Sequence, residues 1–491
     1  MAVSNTTKAL KDIMRIDAGI NGDAQYIEQI TWMLFLKAFD YKEREWELTE
    51  DDYYSVIPEF YRWGTWADNA EGMTGDTLLE HINNMFRALR NLDTSEDPKK
   101  RKWLIRSVMD GVNNFMKSGT ELRKVVNKIN EDISFDDVKG THLFNGLYET
   151  MLKDLQSAGK AGEFYTPRPV TRFIVEQVNP KLGETVLDPA CGTGGFLTSV
   201  VDKFTVSTTE EYATLQQTIR GIEKKPFPYL LCITNLIAHG IDVPNISHDN
   251  TLRTPISDYA AKDKVDVIVT NPPFGGAENK AISQSVPAEL RNTETADLFL
   301  VHIMALLKDG GRCGLVLPDG FLFGIGVKSA IKRKLLEEND LHTIVRLPKS
   351  VFAPYTSINT NLLFFTKGKP TQGVWFYRLE MPEGYKHFSK TKSMQDAHFD
   401  AVRKWWDKRT ESDISKYVPV ADIVAGEYNL DLCGFPHETV EILPPDEFIA
   451  NYLNEKNAIS ARIESILGRI GMAMDLPMAQ EIASSRDGSE A

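Results

Sequence analysis

The sequence predicts an α/β protein in which a doubly wound, Rossmann-like sheet follows a helical N-terminal region and precedes one long C-terminal helix. From about residue 160, short apolar runs alternate with helical stretches, which is the pattern of βα units in a parallel sheet. Residues 1–150 instead carry apolar side chains at helical spacing. Residues 446–473 form the most periodic helical pattern in the chain. These three observations set the expected fold class and the order of its parts.

The helical region, residues 1–150, carries no recognisable chemistry. Apolar groups at helical spacing run through residues 26–36 and recur from Trp103 to Phe115. Packing or partner binding is therefore the expected function of this domain.

The predicted sheet domain, residues 151–435, contains six candidate strands: residues 185–188, 220–223, 265–270, 313–317, 343–347 and 361–365. Residues 297–307 are expected to form a helix that ends at Asp309-Gly310-Gly311. After Lys367 the pattern is less regular, with 11 Lys or Arg against 7 Asp or Glu in residues 366–417. This excess indicates either a modest DNA-facing surface or an ordinary solvated face.

The C-terminal helix, expected as a separate domain at residues 436–475, shows the spacing of a coiled coil. Its seam consists of Ile449, Tyr452, Lys456, Ile459, Ile463, Ile466 and Ile470. Such a seam packs either on a partner helix or on its own domain. Residues 476–491 are expected to be a disordered tail.

Composition narrows the function classes. The chain has 491 residues, of which 42% are hydrophobic and 25% charged, as in globular proteins of two or three domains. It has no apolar stretch near the roughly 20 residues that span a bilayer, and its N-terminus lacks a signal-peptide pattern, so a cytoplasmic protein without membrane contact is expected. The formal charge of −13 opposes phosphate binding, so a partner is expected to hold any DNA substrate.

The four cysteines are far apart in the sequence and make no CxxC pair: Cys191, Cys232, Cys313 and Cys433. Neither a disulfide framework nor a zinc site is indicated, and no metal is expected. Reduced, mostly buried thiols are the expected state.

A glycine-rich loop follows the first candidate strand of the sheet. It consists of Asp188, Pro189, Ala190, Cys191, Gly192, Thr193, Gly194, Gly195 and Phe196. Glycines at this place allow a tight turn and a close approach of backbone amides to a ligand. A dinucleotide site is one interpretation, but the GxGxxG spacing is absent and the Asp188 carboxylate would repel a pyrophosphate. The same carboxylate suits a cationic ligand such as S-adenosylmethionine.

Two further acidic residues follow in order. Glu223 ends the second candidate strand, where a carboxylate can accept hydrogen bonds from both hydroxyls of a ribose. Asp249 follows a further apolar stretch and is placed to reach an adenine ring. Together with the loop, these residues favour a nucleoside cofactor over a purely structural turn.

The turn Asn271-Pro272-Pro273-Phe274 directly follows an apolar strand. The Asn271 side-chain oxygen and the Pro272 carbonyl are two acceptors that fit the two hydrogens of one exocyclic amine. Such acceptors stabilise the positive charge that develops on the nitrogen when it attacks a methyl group. Phe274 offers a ring on which an extruded base can stack. The alternative is that the prolines simply end the strand and Phe274 belongs to the core.

These motifs resemble the adenine-N6 DNA methyltransferases, whose catalytic motif has the form [ND]PP[YFW]. A third motif of that family resembles Glu163-Phe164-Tyr165-Thr166-Pro167-Arg168, and its position before the glycine loop matches the gamma arrangement. The resemblance implies a seven-stranded methyltransferase sheet. It also implies that residues 163–168 line the methionine part of S-adenosylmethionine, Thr193, Gly194 and Gly195 its middle, and Glu223 the ribose.

Over most of residues 1–435 the chain is similar to the modification subunits of type I restriction-modification systems. The similarity includes the helical region and the runs at residues 164–169, 271–275, 316–320, 344–352 and 427–430; Cys191 departs slightly, standing where small residues are common. It implies methylation of adenine N6 in DNA. It further implies two copies of this chain on one specificity subunit that selects the sequence, and a motor-nuclease restriction subunit in the full complex.

Three alternatives remain at this point. Glutamine methyltransferases that act on release factors also use an Asn-Pro-Pro-aromatic turn, but they lack the upstream Phe-Tyr-Thr-Pro pattern and the large helical region. A catalytically idle scaffold is opposed by the intact Asn271. A self-sufficient methylase would need its own target-recognition domain, and the segment after Lys367 is short for one.

Overall fold

A computed structural model of the chain describes residues 2–135, 146, 148–151, 165–274, 276–353, 358–389, 392–434 and 445–473. The chain divides into two compact units, Met1–Pro436 and His437–Ala491. The first contains the helical region and the sheet, and the second contains the C-terminal helix. No helix in the described ranges has the length and apolar character needed to cross a membrane.

The N-terminal region is helical, as predicted. Its helices are Ala2–Met14, Asp23–Thr49, Trp63–Trp66, Gly75–Arg90, Arg101–Asp110 and Gly119–Asp132. The long helix Asp23–Thr49 is central, because its side chains from Ile30 to Leu36 are all buried. The others pack around it and bury one face each.

The described strands form one nine-stranded sheet in the order β3-β2-β1-β4-β5-β7-β6-β8-β9. The strands are β1 Val186–Asp188, β2 Ile219–Glu223, β3 Asn245–His248, β4 Val265–Thr270, β5 Leu307–Pro318, β6 Asn339–Arg346, β7 Thr360–Lys367, β8 Gly373–Arg378 and β9 Ser415–Pro419. The five strands from β3 to β5 are parallel, whereas β7 runs antiparallel to both β5 and β6. β8 is parallel to β6, and β9 is antiparallel to β8.

The predicted α/β fold class is confirmed, and all six candidate strands are present. The expected count of seven strands describes β1–β7, and β8 and β9 extend the sheet to nine. The helix expected at residues 297–307 is present as Thr295–Leu306, but one local expectation was wrong: Asp309-Gly310-Gly311 does not end that helix and lies inside β5, which starts at Leu307. A register shift between Val265 and Val267 of β4 accommodates that irregular start.

Helices cover both faces of the sheet. They are Arg168–Val178, Gly195–Lys203, Thr209–Thr218, Pro226–Ala238, Thr295–Leu306, Asp319–Phe323, Val327–Glu338, Asp400–Asp407 and Val420–Ala425. Side chains alternate between two cores: in β7, Leu362 and Phe364 join one cluster, and Leu363 and Phe365 the other. The first cluster continues into the N-terminal helices.

The helix Pro226–Ala238, called the bridging helix below, joins the N-terminal helices to the sheet. On one side Tyr229 accepts a hydrogen bond from the Ser107 hydroxyl at 3.0 Å. Gly111 approaches the same helix so closely that a Cβ there would lie 2.4 Å from the Pro226 Cβ. On its other side, Asn235 Nδ2 donates to the carbonyl of Thr193 in the glycine loop at 2.9 Å.

The segment after Lys367 uses several of its basic side chains internally. Arg378 is buried and pairs with Glu380 at 2.7 Å. Arg403 pairs with Glu176 at 2.7 Å, and Arg409 lies over the Trp406 ring. These contacts favour the ordinary-surface interpretation of the local positive charge.

The second unit consists, in its described part, of the predicted helix, which spans Pro445–Ala473. The seam side chains from Ile449 to Ile466 are exposed, including Ile459 at 58% and Ile463 at 52%. Residues 436–444 and 474–475 of the expected domain and all of the expected tail, residues 476–491, lie outside the described residues.

Candidate active site

Three parallel strands bring the predicted site residues to one edge of the sheet. β1 lies between β2 and β4, so that Asp188, Glu223 and Thr270 end neighbouring strands at the same edge. A cavity of about 270 Å³ opens there. Its wall includes these predicted residues: Thr166, Asp188, Ala190, Gly192, Thr193, Gly195, Phe196, Glu223, Asp249, Asn271 and Pro273.

The glycine loop requires the backbone conformations that glycine provides. Gly192 has a φ of 53° and Gly194 a φ of 79°. A Cβ on Gly194 would also lie 2.9 Å from the Cys232 sulfur, so the loop packs directly on the bridging helix. The Gly192 amide donates to Glu223 at 2.9 Å, which ties the loop to the end of β2.

The four cysteines are all buried and free, as predicted. Cys191 and Cys232 are 41 residues apart, yet they meet under the glycine loop with their sulfurs 3.7 Å apart, which no local pattern predicts. Burial raises the pKa of the Cys191 thiol well above its ordinary range. The Cys191 side chain is therefore a neutral thiol beneath the loop.

Asp188 is a buried carboxyl without an ion pair among the described residues. Its Oδ1 accepts hydrogen bonds from the Thr270 hydroxyl at 2.6 Å and from the Ala190 amide at 3.1 Å. Burial, with a smaller contribution from the nearby Glu223 carboxylate, raises the pKa of Asp188 to about 7. A cation in the cavity would reverse this effect by favouring the ionised form.

Glu223 and Asp249 differ in their surroundings. Glu223 accepts from the Gly192 and Lys225 amides, and burial raises its pKa. The Asp249 side chain is half exposed and pairs with Arg253 at 2.9 Å. Both carboxylates lie on the cavity wall, on the β2 and β3 side of β1, whereas the turn Asn271-Pro272-Pro273-Phe274 follows β4 on the other side.

Among the described residues, the Asn271 amide has a hydrogen-bond partner at one end only. Its Nδ2 donates to the Thr166 hydroxyl oxygen at 3.0 Å. Its Oδ1 is shielded from solvent yet has no hydrogen-bond partner among the described residues. Leaving such an acceptor unpaired costs about 1–3 kcal/mol. A ligand that donates to this oxygen would recover that cost.

Other predicted residues lie behind or beside the cavity. Tyr165 is buried, and Arg168 donates to the Gly195 carbonyl at 3.0 Å and to Glu149 at 2.8 Å, so Arg168 supports the loop from behind. Pro167, Gly194, Pro272 and Phe274 are also absent from the described cavity wall. The half-buried Phe274 ring stands perpendicular to Phe352, with centroids 6.4 Å apart. Glu163 and Phe164 lie outside the described residues.

Sequence reasoning missed several residues of the cavity wall. Asn250 and Thr251 directly follow Asp249 in the sequence, which was the available signal. Glu278 lies on the wall and accepts from Lys224 Nζ at 2.7 Å. Thr295 and Phe299 come from the helix Thr295–Leu306 and carry no motif that would have identified them.

Comparison with known proteins decides the family. Residues 139–439 match the family model described as N-6 DNA methylase, and residues 3–129 match the HsdM N-terminal domain. The chain is 50% identical over 487 residues to the type I restriction enzyme EcoEI methylase subunit of Escherichia coli, covering 96% of this chain and 99% of that protein. The chain belongs to the type I restriction-enzyme methylase subunits. It is an adenine-N6 DNA methyltransferase subunit.

More distant relatives and solved structures agree. The EcoKI methylase subunit of Escherichia coli strain K12 is 28% identical over 491 residues, covering 91% of this chain and 87% of that protein. A modification subunit of a type I restriction enzyme from Vibrio vulnificus YJ016 superposes with a TM-score of 0.77 at 41% identity, covering 86% of this chain and 93% of that one. A chain from a study of complex assembly and conformational transition of the type I R-M system gives 0.79 at 38% identity, covering 96% and 98%.

The donor set fits S-adenosylmethionine, the cofactor that membership of this methylase family implies. The buried Asp188 has no cationic partner in the described residues, and the cofactor carries a sulfonium and an ammonium group. The open backbone at Gly192 leaves space for a ligand against the loop. Glu223 retains lone pairs on both oxygens beyond those used by the Gly192 and Lys225 amides.

Proposed function

We propose that Asn271-Pro272-Pro273-Phe274 is the catalytic turn of this methylase subunit and that the neighbouring cavity holds S-adenosylmethionine. The buried Asn271 Oδ1, unpaired in the described structure and next to the cavity, carries this proposal. An oxygen in that state is ready to accept a hydrogen from the target amine. The Pro272 carbonyl is the proposed second acceptor.

The proposed mechanism assigns a task to each group. The bound cofactor supplies the electrophilic methyl group. The Asn271 Oδ1 and the Pro272 carbonyl oxygen accept hydrogen bonds from the amino group and orient the nitrogen lone pair toward that methyl group. As positive charge grows on the nitrogen, these acceptors bind it more strongly than in the ground state, so the barrier falls. Phe274 stacks on the extruded adenine.

The cofactor side of the proposal rests on the acidic groups. Asp188 balances the positive charge of the cofactor, Glu223 accepts from the ribose hydroxyls, and Asp249 lies toward the adenine ring. Thr193, Gly194 and Gly195 form the middle of the site, and residues 163–168 border the methionine part. The assignment is supported by the groups that lie on the cavity wall, which are Thr166, Asp188, Thr193, Gly195, Glu223 and Asp249.

The test is Asn271→Ala, assayed in the complex with its specificity subunit on DNA that contains the target site. We expect methyl transfer to fall about 100-fold or more, with cofactor affinity retained. The matched control is Asn83→Ala, an exposed asparagine on the helix Gly75–Arg90. Sequencing of modified bases in cells gives the same comparison in vivo. Full activity of Asn271→Ala would refute the proposed turn.

We further propose that the sequence is selected by a separate specificity subunit, with two copies of this chain bound to one copy of that subunit, and that a motor-nuclease restriction subunit joins the full complex. The same proposal includes a cytoplasmic location and domain boundaries after residues 150, 435 and 475. The net charge of −13 supports the need for a separate DNA-binding subunit, because this chain alone offers little attraction for DNA phosphates.

The seam of Pro445–Ala473 is the proposed contact with the specificity subunit. Its exposed isoleucines support this. The double variant Ile459→Asp, Ile463→Asp should prevent co-purification with that subunit, as should truncation after Pro445. The control Ala461→Asp, Ser465→Asp places the same charges at the same spacing on the opposite side of the helix and should assemble normally. Equal assembly of both variants would contradict the assignment.

A further inference from the structure

Thr166 connects the cofactor cavity to the catalytic turn. It lies on the cavity wall, and its hydroxyl oxygen accepts the hydrogen bond from Asn271 Nδ2 at 3.0 Å. Within the described residues this is the only hydrogen bond of the Asn271 side chain. It joins two segments that are 105 residues apart in the sequence.

The backbone on both sides of Thr166 is fixed. Tyr165 before it is buried, and Pro167 after it has a φ of −54°. Arg168 is tied to the Gly195 carbonyl and to Glu149. The Thr166 carbonyl also lies close to the glycine loop, since a Cβ on Gly195 would come within 4.0 Å of it. The hydroxyl is therefore a fixed acceptor rather than a mobile one.

A primary amide needs such an acceptor if it is to present its oxygen in one direction. A half-turn about the last side-chain bond exchanges the oxygen and the nitrogen at little steric cost, so hydrogen-bond partners decide which atom points where. With Nδ2 on Thr166, the oxygen is left for the target. With the amide reversed, an N–H donor would face the N–H donors of the target amine.

We propose that Thr166 is a positioning residue for methyl transfer, which holds Asn271 Nδ2 and thereby directs Oδ1 toward the amino group of the target base. This inference rests on the proposed function of Asn271. It differs from the sequence-based expectation, which placed Thr166 against the methionine part of the cofactor. A positioning residue changes the rate of the bound complex, whereas a cofactor-binding residue changes cofactor affinity.

The test compares Thr166→Val, which keeps the shape and removes the hydroxyl, with Thr166→Ser, which keeps the hydroxyl. In the complex with its specificity subunit, Thr166→Val should lower kcat at saturating S-adenosylmethionine about 3- to 10-fold. The dissociation constants for S-adenosylmethionine, measured by calorimetry, and for target DNA should stay within about two-fold. Thr166→Ser should restore most of kcat.

The matched control is Thr234→Val, which removes another buried hydroxyl, one bonded to the Leu230 carbonyl of its own helix. Its kcat should equal that of the parent protein. A loss of kcat of the same size in Thr234→Val and Thr166→Val would attribute the effect to general destabilisation and overturn the inference.

A double-mutant cycle separates this inference from the proposed function. In the Asn271→Ala background, Thr166→Val should not lower the residual rate further, because the amide that it positions is gone. Two results would overturn the positioning assignment and leave the proposed function intact. In one, the losses of rate from Thr166→Val and Asn271→Ala multiply in the double variant. In the other, Thr166→Val weakens cofactor binding but leaves kcat unchanged at saturation. If Asn271→Ala alone retains full activity, the proposed function fails, and the inference fails with it.

Discussion

The Asp188 carboxyl should make cofactor binding depend on pH. Its pKa is raised to about 7 by burial, and a bound cation favours the ionised form. The ionised fraction of a group with that pKa falls about 8-fold between pH 7.5 and pH 6. The dissociation constant for S-adenosylmethionine should therefore be about 8-fold higher at pH 6 than at pH 7.5.

Calorimetry in two buffers of different ionisation enthalpy measures both the affinity and the linked protons. At pH 6 roughly 0.9 proton should be released for each cofactor bound, because about nine-tenths of the free carboxyl is protonated there. Asp188→Asn should bind more weakly at pH 7.5 and lose most of this pH dependence. Glu223→Gln is the control, because the pKa of Glu223 is also raised by burial. In this variant the pH dependence of cofactor affinity should persist.

Two results would refute this reasoning. Affinity that is the same at pH 6 and pH 7.5 would mean that Asp188 is not the group that faces the cationic cofactor. An unchanged pH dependence in Asp188→Asn would assign the titration to another residue.

Other predictions follow from the loop, the same carboxyl and the net charge. Gly194→Ala should abolish cofactor binding in calorimetry, because the new Cβ would clash with the Cys232 sulfur at a position that also has a positive φ. Its control is Gly240→Ala, which also has a positive φ but open space around it. This control should lose only about 1–2 kcal/mol of stability and bind the cofactor normally. Because the folded Asp188 holds its proton more tightly than the unfolded one, the free energy of unfolding of the cofactor-free protein should decrease as pH rises from about 4 to 7, and urea titration should show a smaller decrease in Asp188→Asn. In a gel shift at physiological salt the isolated chain should bind DNA weakly, and tight sequence-specific binding without a partner would contradict the need for a specificity subunit.

Most of the sheet strands that were predicted are apolar runs, because both of their faces are covered; β2, with Arg220 and Glu223, is the exception. β4 and β7 are buried along most of their length and were identified directly. β3, in contrast, has one buried residue of four, and β9 is mostly exposed. An edge strand with a solvated face has no apolar run to reveal it. β8 was missed because it follows the irregular stretch after β7 and depends on pairing with β6.

The candidate site was predictable where its residues sit in short motifs. Asp188, Glu223 and Asn271 each follow a recognisable strand, and parallel strands place such residues at one edge. Two contacts of the site join residues far apart in the sequence: Cys191 meets Cys232 across 41 residues, and Thr166 meets Asn271 across 105. The position of Glu278 on the cavity wall depends on how its loop packs. No local pattern encodes those distances, so only the folded chain reveals them.

The bridging helix has contacts on two sides, and this has a consequence for communication within the molecule. Tyr229 and Pro226 meet the N-terminal helices, while Cys232 and Asn235 support the loop at Gly194 and Thr193. A displacement of those helices that moves the bridging helix would also move the glycine loop, and so change the affinity of the cavity for its proposed occupant. Thermodynamic reciprocity then requires the occupant to bias the helices by the same free energy. With the methyl donor in the cavity as proposed, we therefore expect a partner that docks on the N-terminal helices to bind the loaded and the empty subunit with different affinities.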